Sequence, residues 1–292
     1  MTILISGATG NIGGAVVQAL LQQQPLRALV RDKAKATRLA EQGVELAQGD
    51  FSQPASLEAA MQGIERAFLV MPNDPDQVAL EGNFVTAAQQ ARVRHLVKLS
   101  VLRAGELPST FQQWHRRIEA QIEASGMAWT HLRPNMLMQN MRWFTPTMAQ
   151  QGAFYHSIGD TPVSHVDGAD VAAVAALCLS QSGHENQAYN LTGAEAIFFS
   201  QVAEAFSQAL HRPIQYVSVA PADLKAARLA NGEPEWYLDA EAELFACWQA
   251  GAGSAIDPTL AQLLGREPVR FVDYAQTYVQ TYPEAFLTTT ET

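Results

Sequence analysis

Three glycines in the run Gly7-Ala8-Thr9-Gly10-Asn11-Ile12-Gly13-Gly14 have the spacing that receives a diphosphate. Gly7 permits a tight turn, Gly10 lets the backbone approach an anion with no side chain between, and Gly13 lets a following helix pack on the preceding strand. The amides from Thr9 through Asn11 and Ile12 then face the anion, helped by the helix dipole. Further on, an apolar run ends in Val30-Arg31-Asp32, a place where dinucleotide folds often carry a carboxylate that grips the adenosine ribose. Arg31 stands there instead. A carboxylate repels a 2′-phosphate, whereas a guanidinium holds it with paired hydrogen bonds, and Lys35 adds a second positive charge. NADP(H) is therefore the expected cofactor, with NAD(H) possible because Asp32 can itself reach a ribose. The plainer alternative is an exposed Arg31 paired with Asp32 or Glu41. In Gly49-Asp50-Phe51 the carboxylate can accept from the adenine amino group while the adjacent backbone pairs with the ring edge; taken alone, this is only a turn. Met71 and Pro134 complete the expected cofactor set.

These residues need elements to hold them. Apolar runs of strand length alternate with helical patterns through the first two thirds of the chain, the signature of a parallel sheet covered by helices on both faces. Strands are expected at Ile3 to Ser6, Leu26 to Val30, Val44 to Gln48, Ala67 to Val70, His95 to Ser100 and Trp129 to Leu132. Ile12, Val16 and Leu20 give the first helix an apolar face, a second helix follows Arg31-Asp32, and a third begins near Gln53-Pro54. The expected fold is α/β, a Rossmann-type doubly wound parallel sheet with a smaller, mostly helical carboxy-terminal lobe. Residues 1–133 would form the dinucleotide-binding domain, completed by 164–192, with a helix from Asp167 or Asp170 to Ser180 and a strand at Tyr189 to Leu191. Residues 134–163 and 193–292 would form the second lobe, and Thr288 to Thr292 a frayed tail.

The chain has 292 residues, with 19 Lys plus Arg against 29 Asp plus Glu, and this net charge of −10 argues against a nucleic-acid partner. Its hydrophobic fraction of 48% is enough for a large core. No apolar run approaches a membrane span, and the amino terminus lacks a signal-peptide pattern, so a cytoplasmic location and no membrane partner are expected. Cys178 and Cys247 lie in apolar surroundings and read as core thiols. His156 and His165, with Asp160, Asp167 and Asp170 nearby, match no metal spacing, and no metal is expected. No Gly-x-Ser-x-Gly hydrolase motif is present. The acidic run from Glu233 to Glu243 reads as a solvated helix face.

Gly7 to Gly13, Arg27 to Asp32, Gly49-Asp50-Phe51, His115 to Glu119, Thr130 to Asn135 and His184 to Leu191 resemble the NmrA-like family of atypical short-chain dehydrogenases/reductases nearly end to end. Within it the chain is most similar to bacterial triphenylmethane reductases and NADPH-dependent quinone reductases. The resemblance implies an NADPH-binding lobe, a smaller lobe and a substrate cleft. It identifies fold and cofactor better than substrate, because the same scaffold also serves as a non-catalytic redox sensor acting through a regulatory protein partner.

Typical short-chain dehydrogenases use a Tyr with Lys four residues on, and none of the seven tyrosines here has one. His115 and Glu119 stand one turn apart on the helix after the fifth strand, where that pair would lie. A carboxylate beside the imidazole would raise its pKa and favour a proton donor, although Phe111, His115, Ile118 and Ile122 also read as an ordinary core stripe. Ser100, at the end of the fifth strand, is the third catalytic candidate, or else caps a local turn. Conjugated acceptors need little acid catalysis, so a hydride reductase without the Tyr/Lys pair is the expected activity. Asn135, Met136, Trp143, Phe144 and Tyr155 are expected to border a flat small-molecule acceptor, with ordinary core as the alternative. A monomer or homodimer is expected.

Overall fold

A computed structural model describes residues 1–287; the expected frayed tail, Thr288 to Thr292, lies outside the described residues. The chain divides into two units. The first comprises Met1–Leu107, Gln112–Pro134 and Gly168–Leu191, and the second Pro108–Phe111, Asn135–Asp167 and the chain from Thr192 onward.

In the first unit the order is β1 (Ile3–Ile5), α1 (Asn11–Leu20), β2 (Leu26–Val30), α2 (Thr37–Glu41), β3 (Glu45–Gln48), α3 (Pro54–Met61), β4 (Arg66–Leu69), α4 (Gln77–Gln90), β5 (His95–Leu99), α5 (Thr110–Ala124) and β6 (Ala128–Pro134). The chain then builds α6 (Thr145–Gln151), β7 (Ala153–His156) and β8 (Val163–Ser164) in the second unit. It returns for α7 (Gly168–Ser180) and β9 (Gln187–Leu191). The expected doubly wound sheet is present: seven parallel strands in the order β3-β2-β1-β4-β5-β6-β9. The winding runs outward from β1 to β3 and resumes at β4 on the other side of β1. That reversal is a topological switch point, where ligands of such sheets bind beyond the carboxyl ends of the strands.

Burial follows from the strand sequences. Ile3, Leu4 and Ile5 are buried on both faces of the sheet, as a central parallel strand requires. Leu57, Met61, Phe84, Ile118 and Ile122 cover one face, and α1 packs against α7. Val171, Val174, Ala175, Cys178 and Leu179 are all buried, so α7 is apolar around most of its circumference. Burial pushes the Cys178 thiol up to about 12, which keeps it an inert core residue. Two elements differ from expectation. The chain after Arg31-Asp32 makes a 3-10 turn at Lys33–Ala36 before the short α2, because the Asp32 carboxylate accepts from the Ala34 amide at 2.9 Å and closes a tight cap. β6 runs two residues beyond Leu132, to Pro134, because β9 pairs along it as far as Leu191.

The second unit continues with β10 (Ala196–Ile197), α8 (Phe199–Leu210), β11 (Gln215–Ser218), α9 (Pro221–Ala230), α10 (Glu235–Gln249), α11 (Thr259–Leu264) and α12 (Phe271–Thr281). Its four short strands form two pairs, β10 with β8 antiparallel and β11 with β7 parallel. Its core gathers Met136, Met141, Phe154, Phe199, Phe206 and Phe271. Among the described residues no helix is long and apolar enough to cross a membrane.

Candidate active site

The glycine turn sits directly beyond β1. The Val70 amide donates to Ser6 Oγ at 2.8 Å, which ties the end of β1 to the end of β4. Gly7 then turns with φ of +58°, and a Cβ added there would lie 2.8 Å from Val70 Cγ1. A Cβ on Gly13 would lie 2.2 Å from the Gly7 carbonyl oxygen, so the first turn of α1 rests directly on the glycine turn. Gly10, the N-cap, offers no side-chain cap, and the first turn carries no acidic residue. The amides of Asn11, Ile12 and Gly13 precede the first intrahelical bond, from Gly14 N–H to the Gly10 carbonyl at 2.9 Å. Thr9, Gly10 and Asn11 are exposed, so the anion-binding end of the helix is open to a ligand.

Beyond β2, the Arg31 carbonyl accepts from Gln48 Nε2 at 3.2 Å, and its side chain is exposed. Among the described residues Arg31 makes no ion pair, either with Asp32, whose carboxylate caps the 3-10 turn, or with Glu41. Lys35 is exposed on the same turn. Beyond β3, the Asp50 carboxylate accepts from the Ser52 hydroxyl at 2.6 Å and the Ser52 amide at 2.8 Å. These bonds hold its pKa below the usual value, against slight burial and with the help of the Arg31 charge. The Phe51 ring stacks on Phe84 with centroids 5.4 Å apart, and its carbonyl accepts from Asn83 at 2.9 Å. Met71 is half-buried two residues past β4. The expected cofactor residues therefore follow the carboxyl ends of β1, β2, β3 and β4 of one sheet, and Pro134 is the last residue of β6.

At β5 and β6 the structure builds a charged network. Glu119, fully buried on α5, accepts from Ser100 Oγ at 2.7 Å and from the Arg133 fork, Nε at 2.9 Å and Nη2 at 2.7 Å. Arg116 reaches the same carboxylate at 3.3 Å and grips Glu123 with two bonds of 2.7 and 2.8 Å. Burial acts to raise the Glu119 pKa, but Arg133 and Ser100 outweigh it and hold the carboxyl below its ordinary value. His131 stacks on Trp129 at 4.3 Å with Nε2 3.4 Å from Glu123, and burial pushes it down to about 4. Donor atoms of Glu119, Glu123 and His131 lie within 4.8 Å of one another, as a metal set would, yet guanidinium groups already hold both carboxylates. Next to this network, Lys98 on β5 is fully buried in an ion pair with Glu81 of α4, and Gln77 Nε2 donates to Glu81 at 2.8 Å.

His115 differs from the sequence reading. Glu119 turns to Ser100 and Arg133, and burial, together with the nearby Lys98 charge, pushes the imidazole well below its ordinary pKa. Its Nδ1 is buried without a partner. Of the two readings that the spacing left open, a proton donor raised by Glu119 and a core residue, the burial and the nearby Lys98 charge favour the core residue with a neutral ring.

The residues expected around a flat acceptor lie in the second unit. Asn135 Nδ2 donates to Ser164 Oγ at 2.7 Å and to the Gly253 carbonyl at 2.8 Å. Met136 is in the core, Phe144 packs on Phe154 at 5.3 Å, and the Tyr155 hydroxyl donates to Gln151 at 2.7 Å. Trp143 is 51% exposed, with the Arg142 guanidinium 5.7 Å from its ring centroid. Sequence reasoning missed the Lys98–Glu81 pair and the roles of Arg116 and Arg133. The first left a signal, a lysine inside the apolar run His95-Leu96-Val97-Lys98-Leu99.

The profile of the NmrA-like family matches residues 1–262. The chain belongs to the NmrA-like family. This member is 37% identical to an NAD(P)H azoreductase of Xenophilus azovorans over 285 residues, 97% of this chain and 100% of the relative. Among solved structures it is similar to an NADPH-dependent quinone oxidoreductase of Escherichia coli in complex with NADPH. There the identity is 28% and the TM-score 0.87, with 95% of this chain and 99% of the other covered. It is likewise similar to the triphenylmethane reductase of a Citrobacter species in complex with NADP(H), at 27% identity and a TM-score of 0.85, over 95% and 99% of the two chains.

Proposed function

We propose that this NmrA-like chain is an NADPH-dependent reductase that passes a hydride to a quinone-like, dye-like or other conjugated small molecule. The carrying observation is the uncapped amino terminus of α1 on a glycine turn where added Cβ atoms would meet Val70 and the Gly7 carbonyl. The amides from Thr9 to Gly13 hold the diphosphate, and Arg31 with Lys35 the 2′-phosphate. Asp50, Phe51 and Met71 bound the adenosine side, and Pro134 the nicotinamide side. When bound, NADPH supplies the hydride. The relatives named for azo compounds, quinones and triphenylmethane dyes support an acceptor whose conjugation takes up the electron pair.

No imidazolium is needed for such acceptors, which agrees with a neutral His115; the proton of the product comes from solvent. Trp143 offers an exposed ring for a flat acceptor, and Arg142 over that ring favours neutral or anionic acceptors over cationic dyes. The test is loss of NADPH absorbance across a panel of quinones, azo dyes and cationic triaryl dyes. Turnover is expected with the first two classes. Tight NADPH binding with no turnover on any of them overturns the reading in favour of a dinucleotide sensor.

A further inference from the structure

Ser100 directly follows β5 and Arg133 nearly closes β6, and both are held by one buried carboxylate on α5. The ladder between these strands also continues past β5: the Ser100 amide donates to the Leu132 carbonyl at 2.7 Å, and the Leu102 amide to the Pro134 carbonyl at 2.9 Å. Glu119 thus sits behind the part of the sheet that, on the reading above, faces the nicotinamide. The Ser100 hydroxyl spends its only hydrogen on this carboxylate, so it is not a proton donor to the acceptor. Charge is balanced inside the network, Glu119 and Glu123 against Arg133 and Arg116. Removing one charge leaves a guanidinium without its partner at the strand end.

From this geometry we infer that Glu119 is a positioning residue for the nicotinamide half of the cofactor. Through Ser100 and Arg133 it fixes the carboxyl ends of β5 and β6 against which the ring is held. It touches neither cofactor nor acceptor. The inference rests on the dinucleotide reading, and its test separates the two halves of that ligand.

Glu119→Gln keeps the side-chain shape and removes the charge. Calorimetry with adenosine 2′,5′-bisphosphate reads the adenosine half alone, and NADPH reads both halves. The expected result is an unchanged bisphosphate affinity, within about twofold, NADPH binding weakened about tenfold and kcat lowered about thirtyfold. The isotope effect with NADPH deuterated at the transferring position should rise as hydride transfer becomes limiting. Ser100→Ala breaks one arm only and should move the same ratio in the same direction by a smaller amount; it decides the matter if the Glu119 variant does not fold. An unchanged ratio in a folded variant overturns the inference, as do equal losses for both ligands. A wild-type chain that binds neither ligand overturns the dinucleotide reading itself.

Discussion

On the proposed reading Arg31 carries the choice between cofactors, because the carboxylates of Asp32 and Asp50 are already engaged, Asp32 by the Ala34 amide and Asp50 by Ser52. Arg31→Glu places a negative charge at the expected 2′-phosphate position and should weaken NADPH by about 10- to 100-fold while leaving NADH nearly unchanged. The ratio of the two dissociation constants is the measurement, and an unaltered ratio refutes the assignment. Gly13→Ala puts a methyl group 2.2 Å from the Gly7 carbonyl oxygen, where no rotamer change relieves it. It should lower stability by about 3 kcal/mol or more, read as a shift in the urea midpoint, and weaken NADPH binding with it. The glycine turn and Arg31 were legible because their meaning lies in local spacing. The partners of Glu119 were not, since Ser100 and Arg133 are 19 and 14 residues away and only the sheet order brings them together. The same fact bears on His115: spacing offered it the Glu119 carboxylate as one of two readings, and in the fold that carboxylate turns to Ser100, Arg116 and Arg133.

Strands and helices of the first unit were legible where apolar runs were long enough to show a period. The two-residue β8 and β10 are too short to carry any period, and β7 lies inside a Met- and aromatic-rich stretch that reads equally as pocket lining or core. At this scale the informative feature is the joint between β5 and α4, the buried Lys98–Glu81 pair. Glu81→Gln strands the Lys98 ammonium in the interior and should cost about 3 to 5 kcal/mol. The double variant Lys98→Met with Glu81→Leu should regain most of that loss. Chemical denaturation of the three proteins checks this; a single variant as stable as wild type removes the pair from the account of this joint.

Across the chain, five histidines are held neutral mainly by burial: His95, His131 and His165 at about 4, His156 at about 3, and His115 well below 6.5. Below 6.5 the unfolded chain takes up protons that the folded chain refuses, so stability is full above that pH and falls as pH drops toward 4. Each such group contributes a slope of up to about 1.4 kcal/mol per pH unit. Urea midpoints should therefore fall clearly between pH 7.5 and about 5. A flat profile would show that these rings accept protons in the folded state. The order of the sheet has a different consequence. β9 pairs with β6, and α7 packs on α1, yet both are encoded after the excursion Asn135–Asp167. While the ribosome is still making that excursion, the nascent dinucleotide unit lacks a border strand and has α1 uncovered. Synthesis must pass Leu191 before the unit can close, and until then the apolar face of α1 stays bare, the kind of surface that chaperones bind.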